Sequence, residues 1–171
     1  MSGRVEVIAF PGTSGSFSGA AAQEAFPNGQ CAGFPTFPEA AKAVIEGLAD
    51  YALLPVENSF AGAVLPTYSL LEKLPLHIVG ETMKAVRHNL LGVPGATLAG
   101  IRRIASHPQA IAQCDVFLQG LKGVQITPSE NTAISARDVA AQGDPSYAAI
   151  ASEEAARSFG LIAVSYTHLR A

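Results

Sequence analysis

Tryptophan is missing from this chain, cysteine and methionine occur twice each, and charged residues fill only 15% of its 171 positions. Each scarcity removes a class of explanation. Cys31 and Cys114 are far apart, sit in apolar surroundings and form no Cys-x-x-Cys pair, so buried free thiols are expected and no disulfide framework follows. Eleven basic residues against 14 acidic ones leave a net charge of −3. The doublet Arg102-Arg103 is too small a basic surface for phosphates, so no nucleic-acid partner is expected. The apolar runs stop well short of the roughly 20 residues that cross a bilayer. The polar amino terminus carries no leader core, so no membrane partner and a cytoplasmic location are expected. His77, His88, His107 and His168 have no metal-ligand spacing among themselves or with the cysteines, and no metal site is expected.

Apolar residues, by contrast, make up 49% of the chain, enough to bury a core as one domain or as two small lobes. The pattern alternates expected strands at 5–10, 30–34, 50–56, 76–87, 100–105, 123–127 and 147–151 with helices at 18–26, 38–46, 64–74, 108–119, 131–142 and 152–159. Such alternation predicts an α/β fold with a wound sheet and right-handed crossovers. Leu76 to Val93 runs longer than an ordinary strand. Read as a connector, it divides the chain into a first lobe at 1–79 and a second at 80–164.

One piece of grammar recurs: apolar strand, small polar residue, helix start. It is clearest at Ile101 to Ala105 followed by Ser106-His107-Pro108-Gln109, where Ser106 is expected to cap the helix and to stay exposed, and Pro108 suits the first turn. Gln109 and Gln113 fall four apart on one face of that helix. The same sequence of events follows Val5 to Phe10, Tyr51 to Val56 and Tyr147 to Ala151. Each instance sets unpaired N–H donors and the positive end of a helix dipole at the carboxyl edge of a sheet, an environment suited to anions.

Local alternatives remain open at each motif. Glu57-Asn58-Ser59 reads either as an Asx-type turn or as a mixed donor and acceptor set able to orient a carboxylate. Gly12 to Ser18 lacks the Gly-Lys-Ser/Thr ending of a Walker loop and the Gly-x-Gly-x-x-Gly of a dinucleotide turn. It is either a tight turn or a place where Ser16, Ser18 and local amides hold a small carboxylate. Asn131-Thr132 caps a helix, and Thr132 lines a site only if that helix end faces one. His88 and His107 read more simply as packed or partly exposed side chains than as catalysts.

Taken together, these stretches resemble the catalytic domain of the prephenate dehydratases. The resemblance is carried in order by Gly12-Thr13-Ser14-Gly15-Ser16-Phe17-Ser18, Leu54-Pro55-Val56-Glu57-Asn58-Ser59-Phe60-Ala61-Gly62, His88-Asn89-Leu90-Leu91, Ser106-His107-Pro108-Gln109-Ala110 with Gln113-Cys114, Asn131-Thr132-Ala133, and Ala148-Ala149-Ile150-Ala151-Ser152. It implies a two-lobed α/β fold similar to type II periplasmic binding proteins, with the ligand in a cleft between the lobes. It implies the family reaction too, in which prephenate loses its ring hydroxyl as water and its ring carboxylate as carbon dioxide to give phenylpyruvate on the way to phenylalanine. No cofactor is implied. Asn58, Ser106 and Gln113 become the expected catalytic residues, and Ser16, Ser18, Ser59 and Thr132 the expected substrate-binding ones.

A departure accompanies the match. Family members continue after Gly160-Leu161 into a segment carrying Asn-x-Thr-Arg-Phe, whereas here the text reads Val164-Ser165-Tyr166-Thr167-His168-Leu169-Arg170-Ala171. Residues 165–171 read as a non-native tail, and Thr167 and Arg170 do not stand in the family pattern. On this reading the chain is a fragment, inactive or nearly so, of a full-length form that is a homo-oligomer. The competing readings are an arogenate dehydratase, a non-catalytic binder of small carboxylates, and a domain with capped helices and no site.

Overall fold

The computed structural model describes residues 4–59 and 61–165. They form two compact units. One comprises the chain up to Thr13 together with Phe17–Lys84; the other combines Ser14–Ser16 with the chain from Ala85 onward. This partition differs from a single cut near residue 80, because the short loop Ser14–Ser16 packs with the second unit.

The first unit is a parallel sheet of β1 (Val7–Pro11), β2 (Gln30–Phe34) and β3 (Tyr51–Ala52), in the order β2-β1-β3. The central strand is buried along Ile8, Ala9 and Phe10, the continuous apolar run that a parallel strand covered on both faces requires. Helices α1 (Phe17–Ala25) and α2 (Phe37–Ile45) follow β1 and β2. The start of α2 is fixed by Thr36, whose Oγ1 accepts from the Glu39 N–H at 3.3 Å and donates to the Glu39 carboxylate at 2.8 Å. Ala40 and Ala43 then pack against Ala9. Beyond β3 come a small hairpin, β4 (Glu57–Asn58) with β5 (Gly62–Ala63), and α3 (Leu65–Lys73). The buried Thr67 of α3 donates its hydroxyl to the Pro55 carbonyl at 2.7 Å, which anchors the hairpin's approach.

The second unit holds five strands, β6 (Asn89–Gly92), β7 (Arg103–Ser106), β8 (Gln125–Pro128), β9 (Tyr147–Ala151) and β10 (Ile162–Ser165), in the order β10-β6-β9-β7-β8. Strands β7, β8 and β9 are parallel to one another, whereas β6 runs antiparallel to both β9 and β10. Helices α4 (Pro108–Gln113), α5 (Asp115–Gln119), α6 (Thr132–Gln142) and α7 (Glu153–Phe159) complete it. Side chains alternate between two cores. Leu90, Ile104, Ala148 and Ile150 meet Ala110, Cys114 and Leu118 on one face, while Leu91, Ala149 and Ala151 meet Ala136, Val139 and Ala155 on the other.

The α/β class holds, and several finer expectations do not. Residues 76–87 are not a strand: regular structure is absent from 75 to 88, and the chain becomes a strand only at Asn89. Ile78, Val79 and Met83 there are 74%, 78% and 98% exposed, so the apolar letters that suggest a strand bury almost nothing. The sheet is mixed rather than wholly parallel because β6 enters against the direction of β9. The strand expected over 50–56 is two residues long, Tyr51–Ala52, and Pro55 has no N–H with which to extend a ladder. The single helix expected at 108–119 is two, since the backbone leaves helical geometry at Cys114, with φ −105° and ψ 10°. Residues 166–171, most of the expected non-native tail, lie outside the described residues. Ser165, which that expectation included, pairs opposite Leu90 as the last residue of β10.

Among the described residues no helix is long and apolar enough to cross a membrane. Both cysteines are free, Cys31 half-buried and Cys114 fully so, and burial pushes the Cys114 thiol up to about 12. Because the thiolate is the reactive form, a maleimide or disulfide reagent is expected to leave Cys114 unmodified in the folded chain and to reach it after denaturation. Peptide mapping of the labelled protein checks this. Modification of Cys114 at the denatured rate under native conditions would contradict the packing described.

Candidate functional site

Three parallel strands of the second unit end at one edge, and each hands over to a helix through a different cap. After β7, His107 Nδ1 accepts from the Gln109 N–H at 3.2 Å to start α4. Asn131, in the loop that follows β8, uses its Oδ1 to accept from the Ile134 N–H at 2.8 Å and so starts α6. After β9, Ser152 Oγ accepts from the Ala155 N–H at 3.0 Å to start α7. The remaining first-turn amides and the helix dipoles direct positive potential toward this edge, while Glu153 and Glu154 stand in the first turn of α7. Strand β6 begins here as well, since Asn89 pairs with Ala151, and His88 immediately precedes it.

The expected cap at Ser106 is therefore corrected: His107 does that work. Ser106 is fully buried, and its Oγ donates to the Ile150 carbonyl at 2.6 Å, tying the end of β7 to β9. Its own carbonyl accepts from the Ser129 N–H at 2.8 Å. Ser129 in turn bonds the Asn131 carbonyl at 3.1 Å and the Ser135 hydroxyl, so a chain of neutral hydrogen bonds connects three strand ends. An exposed hydroxyl was expected at 106 because the sequence shows the strand end and not the neighbouring strand that covers it.

Gln113 lies half-buried at the last turn of α4, and its Oε1 is 2.6 Å from His88 Nε2. The acceptor oxygen requires that Nε2 carry the proton. Desolvation holds the His88 imidazole below its ordinary pKa, opposed by the bond to Gln113. The folded state thus resists protonation here, and the stability this gives is present above the usual imidazole pKa and is lost as pH falls below it. Thr132, half-buried, opens α6 directly after the Asn131 cap.

The glycine-rich turn reaches the same edge by one bond. Ser152 Oγ donates to the Gly15 carbonyl at 2.8 Å, bridging 137 residues of sequence and seating Ser14–Ser16 on the start of α7. The second unit therefore gathers Ser16, Ser106, Gln113 and Thr132 along one sheet edge. Ser18, Asn58 and Ser59 are carried by the first unit. Ser18 lies in the opening turn of α1, while Asn58 Oδ1 accepts from the Ala61 N–H at 3.1 Å, the Asx-type turn that the sequence allowed, with Ser59 exposed beside it.

Two residues at this edge escaped the sequence reading. His88 was read only as a packed or partly exposed side chain, and its partner lies 25 residues away. Ser152 was legible as a helix start from Glu153-Glu154, yet nothing in the sequence points to its second bond with Gly15. Among the described residues, no group of three or more His, Cys, Asp or Glu is placed to hold a metal ion. The edge offers neutral amide and hydroxyl donors, the kind of donor set that stabilises carboxylates and developing oxyanions, alongside the carboxylates of Glu153 and Glu154 at the start of α7.

A family model described as prephenate dehydratase matches residues 8–167. The chain is 42% identical over 154 residues to arogenate dehydratase/prephenate dehydratase 2 of Arabidopsis thaliana, a chloroplastic protein, covering 90% of this chain and 40% of that protein. It is 40% identical over 155 residues to a bifunctional N-acyl-homoserine lactone acylase/prephenate dehydratase of Komagataeibacter europaeus, covering 91% of this chain and 55% of that protein. Among solved structures, prephenate dehydratase of Arthrobacter aurescens in complex with L-Phe superposes with a TM-score of 0.85 at 29% identity, over 93% of this chain and 54% of that one. The chain thus spans between two fifths and just over half of the length of these relatives.

Proposed function

The chain belongs to the prephenate dehydratase family, and we propose that the sheet edge of its second unit holds the carboxylates of prephenate during decarboxylating dehydration to phenylpyruvate. The reaction needs little from a protein beyond placement and one proton. Electrons of the breaking bond to the ring carboxylate aromatise the ring, the hydroxyl leaves from the opposite carbon, and a proton makes that hydroxyl water. A site that fixes two anionic groups and meets the departing oxygen with a donor supplies both requirements.

The observation that carries this reading is the convergence of Ser16, Gln113 and Thr132 on an edge lined by helix amino termini. Gln113 orients the substrate through its amide. Thr132 and Ser16 hold carboxylate oxygens, with first-turn amides of α6 beside Thr132. Ser106, because it is buried and its proton is committed to Ile150, acts as a positioning residue that sets the end of β7. Ser18, Asn58 and Ser59 belong to the same reading on the strength of the motifs they occupy, Asn58 as an orienting residue and the two serines as binding ones. The cytoplasmic location and the homo-oligomeric full-length form are parts of this reading too. The name of the Arabidopsis relative assigns that protein to the chloroplast.

Titration of the purified chain with prephenate and, separately, arogenate tests the proposal. At 100 times Kd, a ligand that binds only the folded state adds about 2.7 kcal/mol to stability, and thermal unfolding is expected to shift upward by several degrees with prephenate. Gln113→Ala is expected to weaken binding by about 1.5 kcal/mol or more, the scale of a hydrogen bond to a charged group. A larger shift with arogenate selects the arogenate dehydratase alternative. No shift with either acid defeats the reading.

A further inference from the structure

We infer that His88 is a positioning residue for Gln113, its ring N–H fixing which end of the Gln113 amide is presented to a bound acid. This rests on the dehydratase reading of the edge and adds a residue to it. A glutamine amide has an acceptor end and a donor end of nearly equal shape, and a free side chain offers either. With Oε1 held 2.6 Å from His88 Nε2, only the NH2 end is left to face a ligand. Among the described residues that nitrogen has no other hydrogen-bond partner, so its two donors remain for a carboxylate or hydroxyl oxygen.

The surroundings suit a clamp of this kind. His88 is half-buried at the last position before β6, and the register of Asn89 against Ala151 holds the backbone beneath it. Gln113 ends α4, whose first turn is fixed by the His107 cap and whose Ala110 packs into the core. Gln113 therefore stands on a helix and His88 directly before a paired strand, and the bond between them sets orientation at small entropic cost. Burial also keeps the imidazole from charging readily, so the clamp holds an uncharged form next to the site.

The test measures the Kd of prephenate by calorimetry on the full 171-residue chain and on His88→Leu, His88→Gln, Gln113→Ala and the His88→Leu/Gln113→Ala pair. His88→Leu is expected to weaken binding about tenfold, whereas His88→Gln, which can still donate an N–H to Oε1, stays within about threefold of the unsubstituted chain. In the Gln113→Ala background, His88→Leu should change nothing further, because its effect passes through the missing amide. The side-chain amide resonances of Gln113 are expected to move in His88→Leu and to return toward their starting positions in His88→Gln. Unchanged affinity in His88→Leu, or equal losses with and without Gln113, overturns the inference and leaves the dehydratase reading intact. Failure of the unsubstituted chain to bind prephenate removes both. If His88→Leu does not fold, the comparison of His88→Gln with Gln113→Glu decides: the first is expected to keep binding, and the second, with no donor on the amide position, to lose it. The reverse order overturns the clamp.

Discussion

Gly15→Ala is expected to destabilise the second unit by about 2–4 kcal/mol, a loss built from left-handed backbone and overpacking. The glycine sits at φ +84°, where a side chain is strained whatever space surrounds it. Space is lacking as well. A Cβ built there lies 3.0 Å from the Ala155 Cα and 3.4 Å from its Cβ. Ala155 is fully buried in the first turn of α7, so the contact is with helix backbone and not with the yielding end of a long side chain. Relief by moving the loop away would stretch the bond from Ser152 to the Gly15 carbonyl. Ser152 would then keep its capping bond to Ala155 while the carbonyl lost its partner, and a polar group left without a bond costs about 1–3 kcal/mol when buried. Urea unfolding followed by circular dichroism measures the effect, and a midpoint matching that of the unsubstituted chain would show that the loop does not rest on α7. Because Ser16 follows directly, the same variant is expected to weaken prephenate binding, linking a local backbone requirement to the proposed site.

How far the sequence reveals this arrangement depends on the range of each interaction. Strand-to-helix grammar is local, and it located the starts of α4, α6 and α7 and the residues at the sheet edge. Asn131 and Ser152 were readable as caps because a cap bonds an amide three residues ahead. Ser106 was misread for the opposite reason: its partner is the Ile150 carbonyl, 44 residues on, in a strand whose adjacency the sequence does not show. The pairing of His88 with Gln113 and the tether from Ser152 to Gly15 were hidden in the same way. Strand direction also escaped. Nothing in Asn89-Leu90-Leu91-Gly92 says that β6 runs antiparallel to β9, and no strand was expected at β10, of which only the last residue, Ser165, fell within the expected tail. The residues of the site were thus legible as types at helix starts, and their hydrogen-bond roles were not.

Burial is where apolar letters mislead most, and one pair of substitutions separates the cases. Ile150 and Ile78 both lie in segments that read as strands. Ile150 belongs to β9, flanked by β6 and β7, and is fully buried against Leu90, Ile104, Ala110, Cys114 and Leu118. Ile150→Ala removes buried methyl and methylene groups from a close-packed layer and is expected to cost about 2–5 kcal/mol, the transfer loss plus the cavity left behind. Ile78→Ala, at a side chain 74% exposed in the irregular stretch before β6, is expected to change stability by less than about 0.5 kcal/mol. The two variants, compared by urea midpoint under one set of conditions, should differ several-fold in ΔΔG; similar losses would mean that 75–88 is packed as the sequence alone suggested. The larger effect has a functional side too. Ile150 supplies the carbonyl that receives the Ser106 hydroxyl, so a cavity at its side chain allows β9 to shift against β7. Interiors transmit such shifts because they are close-packed, and the end of β7 is where α4, Gln113 and the bond to His88 begin. Prephenate affinity is therefore expected to fall in Ile150→Ala and to hold in Ile78→Ala, although neither side chain stands among the residues proposed to touch the acid.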